Sequence, residues 1–394
     1  MTDTGDALVC YAGNAVSGRG GQGEFLRQMV YALDQLPRGR ILSRRAASQR
    51  SECIDIPQRG WPKTCSRVIG RIPLLRRRRD LLMLIDDVDF DSRLAPYVLD
   101  TQLFDGVMGQ CCKTLELLNK RSTPRILTAL NMHIDELADV LEEERRRLNI
   151  SVPSFIHPQM RKRARREIEL ASQIRVISAG AKQSFVERGV EPGKIEIVLP
   201  AVDLDHFRPV EQKDDIFRVL AVLTIDPRKG IYYLLQAFEK AAIPRSELVI
   251  IGATGDAWSR HMLRSFLDRI PNLRIQRADV MEDRVEDTYG QASVFVHPAI
   301  EDGFALAVGQ ALACGKPVIV TRQTGASQLI QDGQNGYVLE CRDVEGLVER
   351  LRLLARDEGL RGRLGAASPQ AVANLGYASV AARVAELYRR VMNT

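Results

Sequence analysis

Residues 297–321 read HPAIEDGFALAVGQALACGKPVIVT. The strand-like run SVFVH, from Ser293 to His297, stops at Pro298, which has no N–H to offer a ladder. The acidic pair Glu301–Asp302 follows, then Gly303 and Phe304, and a helix is predicted over Leu306–Cys314. A second strand, Pro317–Thr321, closes the unit. The first amides of any helix lack intrahelical acceptors and sit at the positive end of its dipole, so the N–H groups of Phe304, Ala305 and Leu306 suit a phosphate. Gln310 stands eight residues after Asp302. Two spaced acceptors for vicinal hydroxyls, beside donors for phosphate, describe a site for a sugar nucleotide.

Upstream, DPRKG (Asp226–Gly230) lies between the strand Phe217–Leu223 and the helix Ile231–Ala241. It places Arg228 and Lys229 at a strand's carboxyl end, where paired cations stabilise a diphosphate. Strands and helices continue to alternate: Glu247–Gly252, Trp258–Arg269, Leu273–Gln276, Arg284–Gln291. The first half alternates as well. It starts with a strand at Ala7–Tyr11, a glycine loop SGRGGQG (Ser17–Gly23) and a helix over Glu24–Leu36. RILTALNMH then ends a strand at His133, and helices follow at Glu136–Leu148, Arg161–Leu170 and Lys182–Arg188. Residues 50–80 read as loop with short helix. The polar passage Lys194–Asp215 separates two halves that each restart a β-α order. The fold class is therefore α/β, two doubly wound Rossmann-like domains whose ligands sit at strand carboxyl ends. The domains are predicted as residues 1–200, with a final helix near 378–392 packing back on them, and 201–377. SGRGGQG matches neither G-x-G-x-x-G with a downstream acid nor a GK[ST] ending, which disfavours a dinucleotide site or an NTPase loop.

From about Arg175 onward the chain resembles the family 4 retaining glycosyltransferases of GT-B fold. Their donor signature, P-S-x-x-E-G-F-G-L-x-x-x-E-A-x-A-x-G-x-P-V-I, is matched by residues 298–319, and TGASQLIQDGQNGYVL resembles the segment that follows it. RKGIYYLLQAFEKA, LVIIG and DTYGQASVFVHPA match further family elements. RVISAGAKQSFVERGVEPGKIEIVLPAVDLDHFRP resembles the interdomain passage. Before Arg175 the likeness rests on GGQGEF and on NMH with its acidic helix. The resemblance implies a metal-independent enzyme with no cofactor. It would transfer a sugar from a nucleotide diphosphate sugar, UDP- or GDP-linked, to a hydroxyl of a glycan or lipid-linked acceptor, as in bacterial surface polysaccharide synthesis. It assigns catalytic roles to His133, Lys229 and Asp302. It assigns donor binding to Gly20, Gly21, Arg228, Lys229, Glu301, Asp302, Gly303, Phe304, Ala305, Leu306 and Gln310. Asp302 and Gln310 replace the two signature glutamates, Ala305 and Ala201 replace glycines, and Thr224 stands where an arginine is usual. These departures motivate the rival reading, a sugar-nucleotide-binding scaffold that lost turnover.

Charge and composition set the remaining expectations. The 394 residues are 45% hydrophobic and 27% charged, as in globular proteins, and no run of apolar residues approaches a membrane span. Residues 1–200 carry 32 Lys and Arg against 25 Asp and Glu, while residues 201–394 carry 24 against 25. The excess lies in Arg76–Arg79 and in RKRARR (Arg161–Arg166), which read either as a solvated helix face or as a basic face for an anionic membrane. A cytoplasmic protein at the inner face of the membrane is expected, with no signal peptide, no nucleic-acid partner and seven reduced cysteines. DDVDFD (Asp86–Asp91) reads as a solvated acidic turn rather than a D-x-D metal motif. No His/Cys spacing indicates zinc.

Overall fold

The computed structural model describes residues 7–58, 60, 64, 78–151, 156–210, 212–254, 257–276 and 285–393. They divide into two units, Met1–Pro200 with Tyr377–Thr394, and Ala201–Gly376.

The first unit holds a sheet of seven strands: β1 (Leu8–Val16), β2 (Arg38–Arg45), β3 (Glu52–Asp55), β4 (Leu103–Val107), β5 (Arg125–Ala129), β6 (Gln173–Val176) and β7 (Ile195–Ile197). Their order is β3-β2-β1-β4-β5-β6-β7, and every described pairing is parallel. Helices on both faces bury the central strands, which explains their near-continuous apolar runs. Cys10, Leu42, Phe104, Leu127, Ile174 and Phe185 lie in the core. The helix Tyr377–Met392 packs against the helix Gly20–Leu33. Tyr377 Oη donates to Glu24 at 2.7 Å, and Tyr388 Oη reaches the buried Asp105 of β4 at 2.7 Å.

The second unit repeats the plan with β8 (Phe217–Val222), β9 (Ser246–Ile251), β10 (Leu273–Gln276), β11 (Val294–His297), β12 (Val318–Thr321) and β13 (Gly336–Leu339). The order is β10-β9-β8-β11-β12-β13, again parallel. The chain winds one way from β8 to β10 and the other way from β11 to β13. The crevice where that reversal occurs, outside the carboxyl ends of β8 and β11, is where such sheets bind ligands.

Several expectations need correction in the first unit. DDVDFD is not a solvated turn: it lies in the helix Arg79–Asp91, with Asp87, Asp89 and Asp91 buried. Arg44 of β2 pairs with Asp86 at 2.7 Å and Asp89 at 3.5 Å. Asp91 accepts from the amides of Lys113 and Thr114 and pairs with Arg163. Burial pushes the Asp87 carboxyl up to about 7, against the Asn14 amide that donates to it and the charges of Arg163 and Arg44, while Asp86 adds to the rise. Gly20 and Gly21 are not in a loop, because the helix begins at Gly20. Of the basic run, Arg161 and Arg165 pair with Asp135, Arg163 with Asp91, and Arg166 with Glu116 and Glu169. The four arginines of this run are thus each paired with acids of their own or neighbouring helices. In residues 50–80, β3 is a strand rather than loop, and Arg76 and Arg77 lie outside the described residues. No described helix is long and apolar enough to cross a membrane. The six described cysteines form no disulfide, and Cys65 lies outside the described residues.

Candidate functional site

Two loops build the site in the second unit. The first leaves β8 and forms a single 3₁₀ turn, Pro227–Lys229, capped by the Asp226 carboxylate on the Lys229 amide at 3.2 Å. The second leaves β11 at Pro298. Backbone bonds stitch them together: the Ile300 amide donates to the Arg228 carbonyl at 2.8 Å and the Glu301 amide at 3.4 Å. Gly230 makes the approach possible. Its φ is +64°, and a Cβ there would stand 1.9 Å from the Pro298 carbonyl oxygen. Only glycine fits such a backbone at that range.

The stitching brings together residues 73 positions apart. Arg228 Nη1 meets Glu301 Oε2 at 2.9 Å, and Lys229 Nζ pairs with Asp302 Oδ2. His297, the last residue of β11, places Nε2 2.9 Å from the same Oδ2. Glu301 is 0% exposed, His297 2% and Lys229 8%. Burial opposes the charge on Asp302, but Lys229 and then His297 outweigh it and hold the carboxyl well below the usual carboxylate range. Burial keeps His297 below its ordinary value despite the pull of Asp302. A neutral imidazole facing a carboxylate must donate, so Nε2 carries the proton. Nδ1 of His297 and Oε1 of Glu301 are buried and meet no hydrogen-bond partner among the described residues. Burial also works against the Arg228 guanidinium, and the facing Glu301 carboxylate, with Asp226 and Asp302 beyond it, raises it instead.

The helix that follows is Leu306–Ala313. The expectation of open amides at 304–306 is corrected for two of them: Phe304 and Ala305 donate to Asp302 Oδ1 at 3.4 and 3.0 Å. Gly303 and Phe304 are buried beneath this turn, and Leu306 opens the helix. Ala305 has φ +65°, a left-handed conformation that disfavours a side chain. Replacing Ala305 with glycine is expected to stabilise the protein by roughly 0.5 kcal/mol, the strain relieved exceeding the extra unfolded-state entropy. A raised urea midpoint checks this. Gln310 is on the second turn, and its Oε1 accepts from the buried Tyr289 hydroxyl at 2.9 Å. One lone pair and the amide N–H₂ group remain.

His133, Gly20 and Gly21 belong to the first unit. His133 is the N-cap of the helix Ile134–Arg147: its Nδ1 accepts from the Asp135 amide at 3.3 Å, and its own amide donates to Ser184 Oγ at 2.8 Å. Its ring stands edge-on to Phe185, and burial lowers its pKa. Sequence reasoning missed two participants, His297 and Tyr289. The signal for His297 was a polar side chain ending the apolar run VFV at a strand's carboxyl end.

The geometry can be set beside known proteins. Residues 203–371 match the family model described as glycosyl transferases group 1. A D-inositol 3-phosphate glycosyltransferase of Streptomyces bingchenggensis is 27% identical over 229 residues, covering 52% of this chain and 49% of that protein. The chain thus spans about half the length of the curated relatives it matches. Among solved structures, the sucrose-phosphate synthase of Thermosynechococcus elongatus superposes with a TM-score of 0.76 at 18% identity, covering 98% of this chain and 99% of that one. Anabaena Alr3699/HepE in complex with UDP-glucose gives 0.67 at 14%, covering 96% and 98%. These likenesses span both units and give the fold class as GT-B, two Rossmann-like domains in one chain. The matched residues all lie in the second unit, which over 203–371 resembles the glycosyl transferases group 1.

Proposed function

We propose that the protein is a retaining glycosyltransferase that moves a sugar from a UDP- or GDP-sugar to a hydroxyl of a glycan or glycolipid acceptor. The observation that carries this is the pair of cations, the half-buried Arg228 and the buried Lys229, held with Glu301 and Asp302 at the β8/β11 reversal beside the start of the helix Leu306–Ala313. A diphosphate entering there recruits Lys229 and Arg228 and gains from the helix N-terminus. The same groups stabilise the charge that develops on the leaving diphosphate, which is where electrostatic catalysis is strongest. Asp302, released from Lys229, accepts from sugar hydroxyls, and Gln310 meets the ribose. No side chain of this cluster is a covalent nucleophile suited to the sugar. In the front-face route that the family resemblance implies, the acceptor oxygen bonds to the anomeric carbon as the phosphate oxygen departs from the same face. The acceptor's proton passes to that oxygen. The catalytic assignment of His133, and of Gly20 and Gly21 to the phosphates, rests on the resemblance.

The relatives named D-inositol 3-phosphate glycosyltransferase and the UDP-glucose complex of HepE support a nucleotide-sugar donor. A role in bacterial surface polysaccharide synthesis, and docking of the first unit at an anionic cytoplasmic membrane face, are the finer parts of the proposal. The docking draws on the net positive charge of residues 1–200.

The test is thermal stabilisation by a panel of UDP-, GDP-, ADP- and dTDP-sugars, with and without EDTA. A ligand at 100 times its Kd adds about 2.7 kcal/mol. One clear hit that is insensitive to EDTA supports the proposal, and a flat panel contradicts it. Gln310→Glu keeps the acceptor for Tyr289 and adds a charge-assisted bond to ribose. It is expected to tighten the hit about tenfold, as titration calorimetry would read.

A further inference from the structure

Donor binding at this site, as proposed above, creates a problem of charge. In the free protein Lys229 is the counter-ion of Asp302, and both side chains are nearly buried. A diphosphate that recruits Lys229 removes that counter-ion. On Oδ1 the amides of Phe304 and Ala305 remain. On Oδ2 what remains among the described contacts is the His297 ring at 2.9 Å. We propose that His297 is the positioning residue that keeps Asp302 aimed at the donor sugar when the diphosphate draws Lys229 away.

The placement of His297 fits that task. The strand before it is apolar, Val294 to Val296, and an apolar residue would continue it without leaving a nitrogen buried. Instead Nδ1 is buried with no partner among the described residues, and Nε2 meets Asp302. A buried orphan acceptor is a cost that packing alone does not explain. The rim of β11 fixes the ring, so Asp302 is held by an element that need not move when ligand enters.

The arrangement has a consequence that a structural histidine lacks. The charged groups facing the ring come from both loops: Arg228 and Lys229 after β8, Asp302 after β11, with Glu301 behind Arg228. In the free protein burial and the two cations hold the ring below its ordinary value, against the pull of Asp302. When Lys229 turns to a diphosphate, its charge is compensated there and Asp302 is left facing His297. The ring's pKa therefore rises on binding, a proton is taken up, and affinity falls as pH rises through the bound-state value. A nucleoside diphosphate alone shows this most, because a donor sugar offers Asp302 hydroxyls of its own.

The experiment is calorimetric titration of UDP and GDP into wild type, His297→Leu and His297→Gln. It is run in buffers of different ionisation heat from about pH 5.5 to 7.5. Relative to His297→Leu, wild type is expected to take up a further fraction of a proton, because exchange by the nucleotide's own terminal phosphate is common to both. His297→Leu is expected to bind about tenfold more weakly and to lose the wild-type gain in affinity toward the acid end. His297→Gln, whose amide N–H replaces Nε2–H, is expected to recover most of the affinity but not the proton. Unliganded melting curves show whether each variant is folded. Wild-type affinity in folded His297→Leu, or proton exchange equal in wild type and His297→Leu, overturns the inference while leaving the donor site standing. A wild-type protein that binds neither nucleotide overturns the donor-site reading, and the inference with it.

Discussion

Replacing Lys229 with methionine is expected to weaken donor binding about fiftyfold and to destabilise the fold by about 3 kcal/mol, the low end for breaking a buried ion pair. Both effects arise from one charge. In the free protein Lys229 neutralises Asp302, and the two side chains are 10% and 13% exposed. Removing the ammonium leaves the carboxylate with His297 and two backbone amides. In the complex the same ammonium meets the diphosphate, and a charge-assisted bond of that kind contributes about 2 to 3 kcal/mol. The two effects separate in the double variant. Lys229→Met with Asp302→Asn removes both buried charges, so stability returns toward wild type while donor affinity does not. Urea unfolding reads the first and calorimetry the second. Donor binding in Lys229→Met equal to wild type would remove this residue from the phosphate site.

Asp105→Ala is expected to cost about 3 to 5 kcal/mol, the range for breaking a buried ion pair by removing one partner. Asp105 and Arg175 are 0% and 1% exposed and lie 3.0 Å apart. Thr128 Oγ1 and Tyr388 Oη also donate to Asp105, at 2.6 and 2.7 Å. The guanidinium meets Thr128 and Met29 and stands over the Phe25 ring. One carboxylate thus ties β4, β5, β6 and the C-terminal helix into a single polar core. Its loss strands a buried guanidinium that cannot give up its proton. Tyr388→Phe removes one bond and is expected to cost about 1 kcal/mol. Asp105→Ala combined with Arg175→Met should recover much of the loss, because neither charge is then unpaired. Urea midpoints check all three, and a loss below about 1 kcal/mol for Asp105→Ala would show that the pair is not a keystone.

The legibility of the chain followed the apolar pattern. Ile231–Ala241 and Leu273–Gln276 have the same bounds in sequence and structure, because burial there is dictated by local periodicity. The strand β2, RGRILSRR, has only Ile41 and Leu42 to mark it. Its arginines are satisfied from distant segments, Arg40 by Glu52 and Asp100, Arg44 by Asp86 and Asn14. The acidic helix Arg79–Asp91 was misread for the same reason: its carboxylates turn inward to partners that no local pattern reveals. At the candidate site the two loops were legible as strand ends with cations and acids. Their pairing was not, since it joins residues 73 apart, and it spends on Asp302 two amides that appeared open to phosphate.

Turnover at this site is measured most simply as sugar transfer. The donor found in the stabilisation panel is incubated with hydroxyl acceptors, among them inositol phosphates, sugar phosphates and glycolipids. Nucleoside diphosphate release and the anomeric configuration of the product are read together. The account expects acceptor-dependent release, unaffected by EDTA, with the sugar on the acceptor in the configuration it had in the donor. Donor binding without release, in wild type and in Gln310→Glu alike, would contradict it and leave a protein that holds a nucleotide sugar without turning it over.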